Sequence, residues 1–295
     1  MNRVLQPFAS TRPAAAWPFI TGSLLVALAC LWLLQWTAAP RLQESGVWMG
    51  LRGGALCGLA TAIGALPVLV VRSIPQRLAD ALLGFGAGVM LAACAFSLVL
   101  PGLEAARAMG HSAWGAGWLV SAGLMLGALA LLGLDKTLVD EPLDAQRALV
   151  PSRLVVFVLA IVLHNIPEGM AVGVAAGGRL PEAPGLAMGI ALQDLPEGLV
   201  VALVLAGAGM GRAKAVFIGV LSGVVEPMAA VLSAAAMTIS SVLLPWGLAF
   251  AAGAMLIAVA HSVIPESGRH GHGIIASAGL AIGFCLMMML DTALA

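Results

Sequence analysis

Residues 153–208 form two long apolar segments, 153–177 and 185–208, and each carries a polar hexapeptide near its middle. The first hexapeptide reads HNIPEG at positions 164–169, and the second reads QDLPEG at positions 193–198. A transmembrane helix needs about 20 mostly apolar residues, so each segment is long enough to cross a bilayer. An ionisable side chain at bilayer depth costs at least about 2.5 kcal/mol, so these acids indicate a functional site within the membrane.

The composition of the whole chain is that of a membrane protein. Of its 295 residues, 61% are hydrophobic and only 9% are charged, and the mean hydropathy is +1.04. A soluble domain with a polar shell cannot be built from this composition. We predict an all-α, polytopic transmembrane helical bundle of about nine spans, at residues 18–38, 47–71, 78–103, 114–134, 153–177, 185–208, 215–239, 243–264 and 273–294.

The predicted spans cover most of the chain, so we treat residues 1–295 as one membrane domain. The longest polar connection, 135–153, is too short to fold alone and is predicted to be a cytoplasmic loop. The segment at 18–38 is an extra N-terminal helix. A cleaved signal peptide is the alternative, because Arg3 and Arg12 precede an apolar run, but the long apolar core favours a retained helix.

The charge distribution predicts the orientation in the membrane. The formal net charge of zero excludes a large basic surface for nucleic acid and leaves the lipid bilayer as the partner. Cytoplasmic loops carry an excess of lysine and arginine. With the N-terminus in the cytoplasm and the C-terminus outside, ten of the 14 lysines and arginines lie inside, and Arg41, Arg52, Arg107 and Arg179 lie outside.

Cysteine and glycine positions indicate helix packing. The four cysteines lie in different apolar segments and form no C-x-x-C pair, so we interpret Cys30, Cys57, Cys94 and Cys285 as small buried residues. Glycines at four-residue spacing are typical of helices whose backbones approach closely. Such spacing occurs at Gly123/Gly127, Gly169/Gly173/Gly177, Gly185/Gly189 and Gly219/Gly223.

Each hexapeptide places several polar side chains on one face of its helix. Successive spans run antiparallel, so the two copies are expected to face each other about an approximate two-fold axis in the membrane plane. Residues three or four apart are neighbours on a helix surface. The neighbours are His164/Glu168 and Gln193/Glu197 at the longer spacing, and Asn165/Glu168 and Asp194/Glu197 at the shorter one.

Prolines and a further acidic position extend this pattern. Pro167 and Pro196 lack an N–H, so they are expected to bend their helices and expose backbone carbonyls. The seventh span repeats the combination of acid and proline at Glu226-Pro227. The acids of these three spans have no lysine or arginine beside them. We therefore expect them to surround one or two divalent ions.

The ligand types favour a transition metal. Histidine nitrogen with carboxylate and amide oxygens suits Zn²⁺, Fe²⁺, Mn²⁺ or Cd²⁺ better than Ca²⁺ or Mg²⁺. A lone His164 would be interpreted as a hydrogen-bonded core residue, but unpaired acids beside it favour a ligand. For Asn165 and Gln193, metal ligation and an interhelical hydrogen bond both remain open.

HNIPEG followed by QDLPEG in successive spans, with a Glu-Pro step in the next, resembles the ZIP (Zrt-, Irt-like protein) family of divalent metal transporters. The likeness is specific over about residues 154–230 and fits the bacterial branch. It implies a binuclear centre in mid-membrane. The first site would use His164, Glu168, Gln193 and Glu197, with Met90 able to join it, and the second would use Asn165, Asp194 and Glu226 with the motif glutamates.

The resemblance also implies the activity and the location. It implies transport of zinc, and also of cadmium, iron or manganese, into the cytoplasm across a bacterial inner membrane, with the metal as cargo and no cofactor. The oligomeric state stays open, with a homodimer as one option. Two departures are visible. Gln193 stands where many relatives have histidine, and the loop at 135–153 contains acids but no histidine. For His270 and His272, in the cytoplasmic loop before the last span, a solvated position is favoured over a metal relay.

Other polar residues are candidates for the ion pathway. Ser97 and Glu104 lie towards the outer end of the third span, and His261 and Glu266 lie near the inner end of the eighth. Asp291 is expected among lipid headgroups.

Two other functions are less consistent with the sequence. An intramembrane metal-dependent hydrolase would need an open metal position for water and a general base, commonly within H-E-x-x-H, which is absent. A proton-driven carrier of an organic substrate would leave the repeated hexapeptide unexplained. We therefore expect a transporter and not an enzyme.

Overall fold

The computed structural model describes residues 45–138 and 150–294. The predicted helix at 18–38 and most of the predicted loop at 135–153 lie outside the described residues. The helices are α1 (Gly46–Ala65), α2 (Gln76–Ala92), α3 (Leu100–Ala108), α4 (Ala113–Leu138), α5 (Val150–Gly177), α6 (Ala183–Gly207), α7 (Arg212–Gly223), α8 (Val225–Ile239), α9 (Leu243–Ala258), α10 (Ile264–Gly268) and α11 (Gly273–Leu294). The described chain contains no strand.

The helices form eight spans that are long and apolar enough to cross a membrane. They agree with eight of the nine predicted segments, with ends that differ by only a few residues. The all-α transmembrane bundle is therefore confirmed. The spans are Gly46–Leu69, Gln76–Ala108, Ala113–Thr137, Phe157–Gly177, Ala183–Gly207, Arg212–Ile239, Leu243–Gly268 and Gly273–Leu294.

Three of the described spans contain an interruption of regular α-helix. Segments of π-helix at Ala93–Val99 and Val259–Val263 join α2 to α3 and α9 to α10. A proline at the second position of the following helix ends each π-segment, Pro101 in one span and Pro265 in the other. Such local π-helix often marks functional positions. The third interruption, at Val224, separates α7 from α8 directly before the Glu226-Pro227 step.

The last residue of each hexapeptide is a glycine at a tight helix contact. A Cβ on Gly169 would collide with the carbonyl oxygen of Glu226, where α5 crosses α8. A Cβ on Gly198 would collide with the carbonyl oxygen of Thr61, where α6 crosses α1. Small residues allow this backbone approach. The four helices α1, α5, α6 and α8 therefore meet around the hexapeptides.

Two spans lie at the periphery. Among the described spans, α4 and α11 have the smallest buried share. Their outward faces carry exposed apolar side chains such as Trp114, Trp118 and Ile282. This is the surface expected of helices that contact lipid, and it leaves the polar hexapeptides in the interior of the bundle.

Candidate metal centre

The hexapeptides lie in the middle of α5 and α6, and most of their polar side chains are buried. Glu168 is 1% exposed, and Asn165, Gln193 and Asp194 are buried as well. Glu226, in the first turn of α8, is 0% exposed. Carboxylates are removed from water at a large cost unless a partner compensates them. Three helices thus bring acidic and amide groups together in one buried place.

The buried acids form two overlapping groups. In the first, one ligand atom from each of Glu168, Asp194 and Glu197 lies within 4.8 Å of the others. In the second, atoms of Cys57, Asp194 and Glu226 meet the same distance limit. Asp194 belongs to both groups, whereas the resemblance assigned it to one site. Each of the two groups could hold a cation, and Asp194 is common to both.

The Gln193 amide connects the two hexapeptides. Its Nε2 donates to Oε1 of Glu168 at 2.7 Å and also to Oδ1 of Asp194. A single donor group therefore bridges two carboxylates on different helices. In this state the Gln193 side chain makes an interhelical hydrogen bond. The sequence had left open whether it makes such a bond or binds a metal ion.

Glu226 is held by side chains from two other helices. Thr61 Oγ1 donates to Oε1 of Glu226 at 2.9 Å, and Asn165 Nδ2 approaches the same oxygen at 3.4 Å. Asn165 Nδ2 also donates to the carbonyl oxygen of Ser222 at 3.1 Å, beside the interruption between α7 and α8. The Asn165 nitrogen is thus engaged in holding α7 and α8, and only its oxygen remains available.

Several polar side chains at the hexapeptides, and Glu226, each have one buried atom without a hydrogen-bond partner in the described chain. A buried polar atom without a hydrogen bond costs about 1–3 kcal/mol, so such atoms are uncommon in folded proteins. Several of these unpartnered atoms lie close together here, and each carries a lone pair that can bind a cation. Within the described residues, the buried atoms without a partner at the hexapeptides and Glu226 are Oε2 of Glu168, Oδ2 of Asp194, Oε2 of Glu226, Oδ1 of Asn165 and Nε2 of His164.

His164 lies one turn before Glu168 on α5 but is outside both groups of buried acids. Its Nδ1 contacts the carbonyl oxygen of Ala160, and because a carbonyl only accepts, Nδ1 carries the hydrogen. Its ring lines a small cavity with Asp135 and His261. Within the described residues, no group of three ligand atoms at the 4.8 Å limit includes His164. Its buried Nε2 is the nitrogen free to bind an ion.

The remaining predicted ligands lie on α2 and α6. Met90 is buried in α2, which packs against α6. One turn earlier, a Cβ on Gly86 would lie 3.2 Å from Oε1 of Gln193, so this face of α2 contacts the second hexapeptide. Glu197 is only partly buried. The Gln193 amide therefore lies against the face of α2 that carries Gly86 and, one turn later, Met90.

At the predicted outer side, Ser97 is buried and donates to Oδ1 of Asp291 at 2.6 Å. The bond joins the π-segment Ala93–Val99 to α11. Asp291 was expected among lipid headgroups, but its carboxylate accepts a hydrogen bond from the buried Ser97. Glu104, two turns beyond Ser97, is exposed.

At the predicted inner side, the candidates are more open to solvent. The His261 side chain is 63% exposed, and its Nε2 lies 3.9 Å from Oδ2 of Asp135. Glu266 pairs with Arg269 at 3.2 Å on the surface. Asp135 was not singled out from the sequence, because it begins the predicted loop at 135–153 and its neighbours in space come from α9 and α5.

His270 and His272 lie in the loop before α11, where His270 is exposed and His272 is partly buried, and both also contact Asp80. Nδ1 of His272 lies 2.8 Å from Oδ2 of Asp80, and Nδ1 of His270 lies 3.3 Å from Oδ1. Asp80 is fully buried and also accepts from Gln76 at 2.9 Å. The two histidines therefore fasten the start of α11 to the start of α2, away from the metal-ligand groups.

No residue of α1 was predicted to lie at the centre. Cys57 and Thr61 lie four residues apart and face the acids of α6 and α8. No acid or proline in α1 marked this face. The only sequence signal in α1 was a thiol and a hydroxyl four residues apart in an otherwise apolar span. Such a pattern also occurs in helices that only pack against their neighbours.

Comparison with known proteins gives a consistent result. The profile of the family described as ZIP Zinc transporter matches residues 140–291. The chain is similar to zinc transporter GufA of Myxococcus xanthus, with 41% identity over 250 residues that cover 83% of this chain and 98% of the relative. It is similar to zinc transporter ZIPB of Bordetella bronchiseptica, with 43% identity over 247 residues covering 82% and 80%. Zinc transporter ZIP11 of Homo sapiens is 34% identical over 337 residues, covering 85% and 98%.

The aligned relatives are transporters and not enzymes, so the metal-dependent hydrolase is not supported. The residues matched by the family profile include both hexapeptides and the acids of α5, α6 and α8. Together with the eight apolar spans, these matches establish the class of the protein. The chain belongs to the ZIP family of zinc transporters and is a multi-pass membrane protein that transports metal ions.

Proposed function

We propose that this protein carries Zn²⁺ across the membrane through a binuclear centre built from the two hexapeptides and Glu226, and that Cd²⁺, Fe²⁺ and Mn²⁺ compete for it. The observation that supports this most directly is the set of buried, unpartnered oxygen and nitrogen atoms at the centre. Their desolvation is uncompensated in the protein alone, and a divalent cation compensates it for several atoms at once.

The first ion position uses Glu168, Gln193 and Glu197, adjoins the carboxylate of Asp194, and is completed by His164 and Met90. Nitrogen, sulfur and carboxylate oxygen together suit Zn²⁺ better than the hard ions Ca²⁺ or Mg²⁺. When an ion binds, the Gln193 amide turns so that Oε1 faces the metal, because its nitrogen has no lone pair to offer. The ion then takes over the neutralising contacts that Nε2 of Gln193 makes with Glu168.

The second ion position uses Asn165, Asp194 and Glu226, with Glu168 and Glu197 shared with the first. Hydrogen bonds within the protein already hold one polar atom of two of these ligands. Asn165 is held through its nitrogen, and Glu226 is held through Oε1. The free atoms, Oδ1 of Asn165 and Oε2 of Glu226, are thereby oriented without an ion, which reduces the ordering cost of binding.

Transport is inward, by exposing the centre alternately to each side of a bacterial inner membrane, with the N-terminus in the cytoplasm. The lysine and arginine distribution supports the orientation. In this state Ser97 is buried and bonded to the partly buried Asp291 on the proposed outer side, while His261 is exposed on the proposed inner side. An ion leaving the centre towards the cytoplasm would pass the cavity shared by His164, Asp135 and His261.

The test is zinc uptake by proteoliposomes containing the purified protein. Glu197→Ala and His164→Ala are expected to abolish most uptake while the protein remains folded and monodisperse in detergent. His111→Ala is the control, because His111 is exposed in the connection between α3 and α4 and lies outside the centre. Zinc and cadmium uptake at the wild-type rate in either of the first two variants would refute the proposed centre.

A further inference from the structure

Cys57 is the one residue in the two ligand groups that is not an acid. It lies in α1, is 0% exposed, and has its sulfur within 4.8 Å of carboxylate oxygens of Asp194 and Glu226. The three residues come from three different helices. The thiol also contacts the carbonyl oxygen of Ala187 at 3.5 Å, which is a weak hydrogen bond.

The surrounding atoms independently indicate a ligand at this place. Oδ2 of Asp194 and Oε2 of Glu226 are buried and have no hydrogen-bond partner within the described residues. One turn along α1 from Cys57, Thr61 donates to the other oxygen of Glu226. The same face of α1 thus supplies a hydroxyl that orients Glu226 and a sulfur within 4.8 Å of one of its carboxylate oxygens.

We propose that Cys57 is a metal ligand at the second ion position, where its thiolate joins Asp194 and Glu226 around the divalent ion. This inference rests on the proposed function. As the ion binds, the S–H bond breaks, the proton passes to solvent, and the sulfur electron pair forms the metal bond.

A sulfur ligand changes the selectivity of the second position. Thiolate binds Zn²⁺ and Cd²⁺ well, whereas Mn²⁺ favours oxygen ligands. With Cys57 as a ligand, the second position prefers softer ions such as Zn²⁺ and Cd²⁺ over Mn²⁺, although it also contains carboxylates. Without it, the position would consist of oxygen ligands alone and would accept harder ions nearly as well.

A second buried cysteine provides a matched control. Cys94 is buried in the π-segment Ala93–Val99, and its thiol contacts the carbonyl oxygen of Ala252 at 3.6 Å, the same weak contact that Cys57 makes. Unlike Cys57, it belongs to neither ligand group. Cys94→Ser therefore tests for general effects of losing a buried thiol.

The experiment loads the full-length purified protein with Co²⁺, whose bond to thiolate gives a near-ultraviolet charge-transfer band. The wild type and Cys94→Ser are expected to show the band, and Cys57→Ser is expected to lose it while still binding Co²⁺. Cd²⁺ affinity at the second position should fall at least about tenfold in Cys57→Ser, the scale seen when a partner is lost at a metal site. Mn²⁺ affinity should be unchanged.

The outcomes separate the two proposals. Co²⁺ bound at the carboxylates with no charge-transfer band, or a band unchanged in Cys57→Ser, would overturn the role of Cys57 and leave the binuclear centre standing. If the wild type binds no divalent ion, the proposed centre fails and the role of Cys57 fails with it. Cys57→Ala provides a second substitution if the serine variant does not fold, and the same loss of the band is expected.

Discussion

At the scale of single residues, one polar atom of each key side chain is held by a hydrogen bond and the other has no partner within the described residues. Glu168 accepts from Gln193 with one oxygen and Glu226 accepts from Thr61 with one oxygen, while the other oxygen of each is free. Asn165 does the same with its nitrogen and oxygen. In the proposed centre these oriented atoms would lose little freedom on binding an ion, so affinity would not depend on charge alone.

The position of Asp194 leads to a prediction about stoichiometry. Asn165→Ala removes a ligand of the second position only, so the variant is expected to bind one zinc equivalent instead of two. Asp194→Ala removes the carboxylate that belongs to both groups, so affinity should fall at both positions. Isothermal titration calorimetry and metal analysis after gel filtration measure both effects. Equal and complete loss of metal in the two variants would contradict two separable positions.

Residue types and spacing predicted the acids and amides of the centre but not every neighbour. Glu168, Asp194 and Glu226 stand out because an unpaired acid in an apolar span is costly and is therefore rarely present without a function. Cys57 and Thr61 are residue types that ordinary helix packing also uses, and only the packing of α1 on α6 and α8 brings them to the centre. The side of α5 on which His164 lies likewise depends on how the helix is rotated in the bundle.

At the scale of elements, two glycine contacts set the distances between the helices that carry the proposed ligands. Gly169 brings α5 against the Glu226 carbonyl of α8, and Gly198 brings α6 against the Thr61 carbonyl of α1. The Thr61–Glu226 hydrogen bond then links the two helix pairs. The spans themselves were predictable because continuous apolar segments give a strong signal. The π-segments were not predicted, because prolines indicate an interruption but not its geometry.

A glycine substitution tests this element-level contact. Gly198→Ala should force α6 and α1 apart, and overpacking of a tight site costs about 1–3 kcal/mol. We expect a lower thermal unfolding temperature in detergent and weaker zinc binding, since Thr61 moves with α1. Gly133→Ala is the control, because no atom lies within 4 Å of its added Cβ in α4. Unchanged stability and zinc affinity in Gly198→Ala would show that the contact is not tight in solution.

At the scale of the whole molecule, charge is placed unevenly through the bundle. The described spans are apolar, while the acids of α5, α6 and α8 are gathered inside the bundle, and within the described residues no lysine or arginine is bonded to them. A buried group of acids is unfavourable when all are ionised and none has a counter-ion. Metal ions and protons are the two cations that relieve this, and they compete for the same atoms.

This competition gives the protein a predictable response to pH. A divalent ion needs ionised carboxylates and a neutral imidazole, so binding releases protons, and a lower pH shifts the equilibrium towards the metal-free protein. Ordinary imidazoles also become protonated as the pH falls from about 7 to about 5. Zinc affinity should therefore decrease over that interval. Titrating zinc into weakly buffered, detergent-solubilised protein should acidify the solution, and Glu197→Ala should release fewer protons. An affinity independent of pH, with no acidification, would mean that the carboxylates are ionised without metal or are not ligands.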